Sequence, residues 1–178
     1  MTRSELEHAI RAACDVADDT EVYVIGSQAI LGEFPEAPED LRQSSEADIV
    51  PKNRPDRMDE VDGALGELSQ FHQTHGFYVH GVSLETAVLP SGWEKRVVRV
   101  QNSNTRNCIG WCLEGHDLAA SKLVAFRDKD REFVRVLLAE RLIGATLLIR
   151  RIRLLARPGE EQERLALWVK HTQQELNL

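Results

Sequence analysis

The chain has 178 residues, 42% of them hydrophobic and 29% charged, with 11 Gly and 6 Pro; this suits one globular domain, or a domain with a helical appendage, and excludes collagenous and wholly disordered classes. A formal net charge of −7 argues against holding duplex DNA by sequence-independent phosphate neutralisation. Residues 1–115 carry 10 Lys/Arg against 20 Asp/Glu and residues 116–178 carry 12 against 9, so an acidic front part (−10) precedes a basic part (+3).

From Glu5 the apolar positions Leu6, Ala9, Ile10, Ala13 and Ala17 recur at helical spacing, and Ser4 followed three residues on by Glu7 reads as a capping-box start. Val22–Ile25 is a short β-branched run closed by Gly26-Ser27, after which Gln28–Leu31 opens a helix. Residues 33–45 hold two prolines and several acids and are expected to form an exposed loop beside whatever site their neighbours build. Glu46–Val50 reads as a second strand, ended by Pro51 and Pro55. Met58, Val61, Leu65, Leu68 and Phe71 mark a second helix.

Between Phe77 and Leu113, four short runs separated by Gly, Pro and Asn predict strands at Phe77–Val79, Thr86–Leu89, Val97–Val100 and Ile109–Leu113 of a mixed or antiparallel sheet. From Asp117 the pattern is helical to the end, with Pro158-Gly159 dividing the last two helices. The expected organisation is a core over residues 1–115 with a C-terminal helical region over 116–178 packed on it. No apolar run reaches the roughly 18–20 residues of a membrane span, and the N-terminus has no signal-like apolar stretch. Cys14, Cys108 and Cys112 form no disulfide framework. These features together predict a cytoplasmic protein.

The chemistry concentrates in two places. Glu46 and Asp48 alternate along a strand, so their side chains share a face with Cα atoms roughly 7 Å apart, and both can reach one site. Such a pair, with triphosphate oxygens, suits hard divalent ions that activate a nucleophile and neutralise a leaving pyrophosphate. Gly26 allows close backbone approach to a phosphate, and Ser27 at a helix start offers a hydroxyl to the same anion.

Other patterns carry less. Cys108-x3-Cys112-x3-His116 spans too far along a strand for one tetrahedral zinc unless Gly110 turns. His72, His75 and His80 gather near a helix end, where His75-Gly76 reads as a C-terminal cap. Trp93 and Trp111 read as packing residues. Arg150, Arg151, Arg153 and Arg157 read as the wet side of a helix whose Leu147, Leu148, Leu154 and Leu155 face inward. No Walker loop, nucleophile elbow or HExxH motif occurs.

The ordered segments "VYVIGSQAIL" and "SSEADIVP", joined by "HDLAASKLVAFRDKDREFV", resemble the nucleotidyltransferase superfamily over roughly residues 20–135, and within it the bacterial abortive-infection (AbiE-type) toxin branch. The resemblance implies an α/β (α+β) fold with a mixed β-sheet flanked by helices. It also implies magnesium-dependent transfer of a nucleoside monophosphate from a nucleoside triphosphate to a hydroxyl on RNA or protein, with an antitoxin as partner. It gives Gly26 and Ser27 the triphosphate, Glu46 and Asp48 the metal, Lys122 a phosphate contact, and Asp130 a further acidic catalytic position.

Three departures stand against that pattern. Glu46 occupies a place where Asp is usual, 18 residues separate Ser27 from Glu46, and the third carboxylate is open among Glu85, Glu94 and Asp117. A catalytically inactive module of the same fold, binding nucleotide or a protein partner, is the alternative expectation.

Overall fold

A computed structural model describes all 178 residues, which group into two compact units: Met1–Thr86 with Val97–Glu114, and Ala87–Arg96 with Gly115–Leu178. The first unit is built on a five-stranded sheet of β1 (Glu21–Val24), β2 (Glu46–Pro51), β3 (Tyr78–Gly81), β4 (Val98–Val100) and β5 (Ile109–Cys112), in the order β3-β2-β1-β5-β4. β1 runs antiparallel to β2 and parallel to β5; β2 and β3 are parallel, and β4 and β5 antiparallel. The fold is thus the expected α+β type with a mixed sheet.

Strand alternation sorts the sheet into two faces. Val22, Val24, Ala47, Ile49, Val79, Val100 and Cys112 form one fully buried face. It is covered by α1 (Arg3–Ala17), α2 (Ile30–Glu33) and α3 (Met58–Leu65). The approach is close at Gly110, where a Cβ would stand 2.4 Å from Ile10 Cδ1, so any larger residue there would displace the Ile10 side chain of α1. The other face carries Glu21, Tyr23, Glu46, Asp48, Tyr78, His80, Arg99 and Trp111, all half-buried or exposed.

Helix α1 buries Leu6, Ala9, Ile10, Ala13, Cys14 and Ala17 as its period requires, but its capping box lies two residues earlier than expected. The Thr2 hydroxyl accepts from the Glu5 amide at 3.2 Å and the Glu5 carboxylate accepts from the Thr2 amide at 2.6 Å. Glu7 is drawn away by Arg3 Nε, one turn back in the same helix, at 2.9 Å and by two tertiary donors, Asn102 Nδ2 at 2.9 Å and Asn104 Nδ2 at 2.8 Å. Two Ser/Thr-x-x-Glu frames overlap here, and only the partners of Glu7 separate them.

The expected single helix from Met58 to Phe71 is two, α3 and α4 (Gln70–His75). The chain breaks after Leu65, and Ser69 restarts it by accepting from the His72 amide at 3.1 Å. Leu68, one of the apolar positions read as marking that helix, is left 78% exposed at φ 66°. Gly76 ends α4 in the left-handed conformation at φ 77°, as read from the sequence. The strand expected at Thr86–Leu89 does not form. The Ser83 hydroxyl accepts from the Glu85 amide, and the Ser83 carbonyl from the Thr86 amide and hydroxyl, closing a short turn at Leu84–Thr86. Loop 33–45 is largely exposed but pinned by buried Ala37 and Leu41.

The second unit holds α5 (Gly115–Ala125), α6 (Asp128–Ala139), α7 (Ala145–Ile152) and α8 (Gly159–Glu175). Leu118, Leu123, Val134, Leu137, Leu148, Ile152, Leu165 and Val169 form its core. Arg150, Arg153 and Arg157 are exposed, whereas Arg151 turns inward to Asp117, Nε to Oδ1 at 3.0 Å. Leu148 and Leu155 are buried, but Leu154 is 41% exposed. No helix is long and apolar enough to cross a membrane.

Candidate metal and nucleotide site

The antiparallel pairing of β1 and β2 continues one step past the end of β1, where the Ile25 amide donates to the Asp48 carbonyl at 3.1 Å. That bond draws the next residue, Gly26, against the Asp48 side chain. A Cβ on Gly26 would stand 1.8 Å from Asp48 Oδ2, so no other residue fits without moving the carboxylate. The Gly26 carbonyl then accepts from the Ala29 amide at 3.0 Å, turning the chain through a 3-10 turn at Ser27–Ala29 into α2. Ser27 is half-buried at this bend. Gln28, fully buried, reaches from the bend to the Leu41 carbonyl at 3.4 Å, tying the 33–45 loop to it.

Along β2, buried Ala47 and Ile49 alternate with Glu46 and Asp48, whose side chains are 35% and 29% exposed. The parallel register with β3 sets Tyr78 beside Glu46 and His80 beside Asp48. His80 Nδ1 lies 3.0 Å from Glu46 Oε1 and 3.2 Å from Asp48 Oδ1. One donor atom from each of the three residues falls within 4.8 Å of the others. Negative charge is concentrated here: burial, together with the carboxylates of Glu46, Glu67 and Asp48, pushes the Tyr78 hydroxyl above its usual range. Two carboxylates and an imidazole are a donor set for a hard or borderline divalent cation, and one of those carboxylates, that of Asp48, occupies the place a Gly26 Cβ would take.

Sequence reasoning overlooked His80 as a member of this group, having placed it with His72 and His75. Those three imidazoles do not converge. His72 Nδ1 accepts from the Leu68 amide at 3.1 Å, and His75 packs against the rings of His8 and Phe71 at 4.6 and 4.7 Å. The signal for His80 was the period of two that puts it on the same strand face as Tyr78. Of the three acids left open for a third carboxylate, Glu85 lies on the rim of a cavity of about 280 Å3 floored by Tyr23 and Val50, and Glu94 is exposed in the second unit. Asp117, fully buried, is held by Arg96 at 2.7 Å and by Arg151.

Lys122 and Asp130 come together within the second unit. The Asp130 carboxylate, 1% exposed, accepts from Arg127 Nε at 2.6 Å and lies 3.6 Å from Lys122 Nζ; the Lys122 ammonium also sits 4.9 Å from the centre of the Phe133 ring. Burial alone would raise the Asp130 carboxyl, but the Arg127 hydrogen bonds and the Lys122 charge outweigh it and hold it below the usual carboxylate range.

The cysteines form no zinc site. All three are free thiols: Cys112 is fully buried, with its thiol pushed up to about 12 by burial, and burial, followed by the charge of the Cys108 sulfur and a hydrogen bond with it, pushes that of Cys14 up as well. His116 Nε2 accepts from the Gly144 amide. Trp111 donates to Glu21 Oε2 at 2.7 Å, and Trp93 is 9% exposed, both as packing residues.

No curated protein and no solved structure matches the chain. A family model does, over residues 4–167, described as nucleotidyltransferase of unknown function (DUF6036). The match spans both the Gly-Ser bend and the Glu-x-Asp strand, and it implies a nucleotide substrate. With nearly the whole chain inside that match, this protein belongs to the DUF6036 family of nucleotidyltransferases of unknown function.

Proposed function

We propose that the chain transfers a nucleoside monophosphate from a nucleoside triphosphate to a hydroxyl on RNA or on a protein, using a divalent cation at Glu46 and Asp48. The observation that carries this reading is the approach of Gly26 to the Asp48 carboxylate. Only glycine lets the backbone of the bend come this close to the acid, because the Asp48 side chain takes up the place a Cβ would fill. In the reaction the acceptor oxygen bonds to the α-phosphorus, the bond from that phosphorus to the bridging oxygen breaks, and pyrophosphate leaves.

A divalent cation supplies charge to acidify the attacking hydroxyl and to offset the departing pyrophosphate. Glu46 and Asp48 would hold magnesium or a similar ion. Gly26 and Ser27 would receive the phosphates at the bend, and the Gln28 bond to Leu41 would steady that bend. The same reading gives Lys122 a charge toward the triphosphate. Asp130, shielded and bound by Arg127, is supported as the residue that positions Lys122 rather than as a catalytic acid. The AbiE-type segments make a bacterial toxin of the cytoplasm, with an antitoxin partner, the physiological setting to test.

The test uses nucleoside triphosphates labelled at the α-phosphate, with magnesium or manganese and total RNA or protein extract as acceptor. Label transfer is expected, and Asp48→Asn should lower it by roughly 10²–10³-fold or more. Undiminished transfer by that variant would remove the assignment. Glu46 in place of Asp, and an imidazole rather than a third carboxylate, favour a second reading as a nucleotide-binding module without turnover. Metal-dependent heat of nucleotide binding with no transfer to any acceptor would select it.

A further inference from the structure

We infer that His80 is the third ligand of the cation site and that its nitrogen shifts the metal preference of this protein from magnesium toward manganese. The inference rests on the carboxylate pair being the cation site, and goes beyond it in naming the third donor and the ion it selects. Register places the imidazole: the parallel pairing of Asp48 with His80 puts the ring on the same face and at the same level as the carboxylate.

Spacing supports ligation. Ligands at right angles around an octahedral ion with bonds of about 2.1 Å stand about 3.0 Å apart. His80 Nδ1 lies 3.0 Å from Glu46 Oε1 and 3.2 Å from Asp48 Oδ1, each close to the spacing of adjacent ligands on one ion, and the three donor atoms lie within 4.8 Å of one another. A hydrogen bond is the competing account of those distances. Nδ1 carries at most one hydrogen and faces two carboxylate oxygens, so a hydrogen bond there would have to be shared between both acceptors, whereas a cation takes all three atoms as ligands.

The longer Glu46 side chain fits the same picture. With the third donor an imidazole, whose nitrogen is fixed to a rigid ring, the flexible glutamate supplies the reach that closes the site. Donor chemistry then sets the selectivity. Magnesium takes oxygen ligands and holds its waters, whereas affinity for sites containing imidazole rises from manganese through the later first-row ions. A protein with this triad is expected to hold manganese well ahead of magnesium, and an all-carboxylate version to narrow the gap.

Calorimetric titration of the full chain with Mn2+ and with Mg2+, on wild type, His80→Asp and His80→Ala, measures this directly. The ratio of the two affinities should fall by roughly tenfold or more in His80→Asp, and His80→Ala should lose manganese affinity by a similar factor. Since the side chain is 48% exposed, both variants are expected to fold, and circular dichroism checks that they do. In parallel, Mn2+ added to protein with 15N-labelled histidine should broaden the His80 ring signals first, ahead of those of His72 and His75, and should not do so in Asp48→Asn. Manganese binding with an unchanged ratio in His80→Asp, or without preferential broadening of His80, would overturn the inference and leave the carboxylate site standing. No binding of either ion to wild type would remove both.

Discussion

Gly26 is the residue at which backbone geometry and site chemistry meet. Its Cα closes on the Asp48 carboxylate because the β1–β2 ladder runs one bond past the strand end, and a Cβ there would meet the Asp48 side chain along its length, Oδ2 at 1.8 Å, Cγ at 2.6 Å and Cβ at 2.9 Å. Gly26→Ala is expected to fold, at a cost of about 1–3 kcal/mol, with the Asp48 carboxylate and the backbone of the bend both displaced. Manganese affinity measured by calorimetry should drop by roughly tenfold while circular dichroism remains that of the parent. Unaltered affinity would mean that the Asp48 carboxylate has no part in holding a cation. Glu46, Asp48 and Gly26 were all legible in the sequence, since a strand, a Gly-Ser bend and alternating acids each leave a local signature. His80 was not singled out, because its place depends on which residue of β3 pairs with Asp48, and register is a property of two strands.

At the scale of elements, local patterns gave the existence of most helices and strands, and tertiary partners chose among overlapping frames. Thr2–Glu5 and Ser4–Glu7 have the same capping spacing, yet Arg3, Asn102 and Asn104 hold Glu7 and leave Thr2 to start α1. Thr2→Ala should thus cost about 1 kcal/mol in urea unfolding, and Ser4→Ala only a few tenths. Equal losses, or a larger one at Ser4, would contradict the cap assigned to this helix. The break between α3 and α4 has a similar origin. A three-residue spacing through Leu65, Leu68 and Phe71 suggests continuity, but Ser69 offers a second N-cap and Leu68 turns to solvent.

Across the whole molecule, each unit carries a buried carboxylate held in its charged form by neighbours: Glu7 in the first and Asp130 in the second. In both, burial opposes the charge. At Glu7 the hydrogen bonds from Asn104, Arg3 and Asn102 outweigh it; at Asp130 those of Arg127 and the charge of Lys122 do so. A carboxyl whose pKa is lower in the folded state stabilises the fold above its unfolded value, near 4 for these acids, and that contribution fades as pH falls through the lowered value. Asp130→Asn should therefore cost about 1–3 kcal/mol at pH 7, and the deficit should shrink as unfolding is followed below pH 4. A deficit of the same size at pH 3 would show that lost shape, rather than charge, explains it. The charge asymmetry that separates residues 1–115 from 116–178 in the sequence lies close to the boundary between units, although residues 87–96 join the second one through contacts such as Arg96 to Asp117.

The amino-acid order alone determined the glycine-serine bend, the pair of alternating acids and the helical C-terminal part, whereas it left the sheet mixed or antiparallel until the family resemblance implied a mixed one. The bend, the acids and the helices each follow from neighbours within a few residues, where periodicity and turn chemistry act. Tertiary structure decided that an imidazole stands beside those acids and that Asp117 and Asp130 are bound by guanidinium groups. It also decided that one capping frame wins over another. Those outcomes depend on strand register and on partners up to roughly a hundred positions away, and a one-residue slip in pairing would have turned His80 to the opposite face of the sheet.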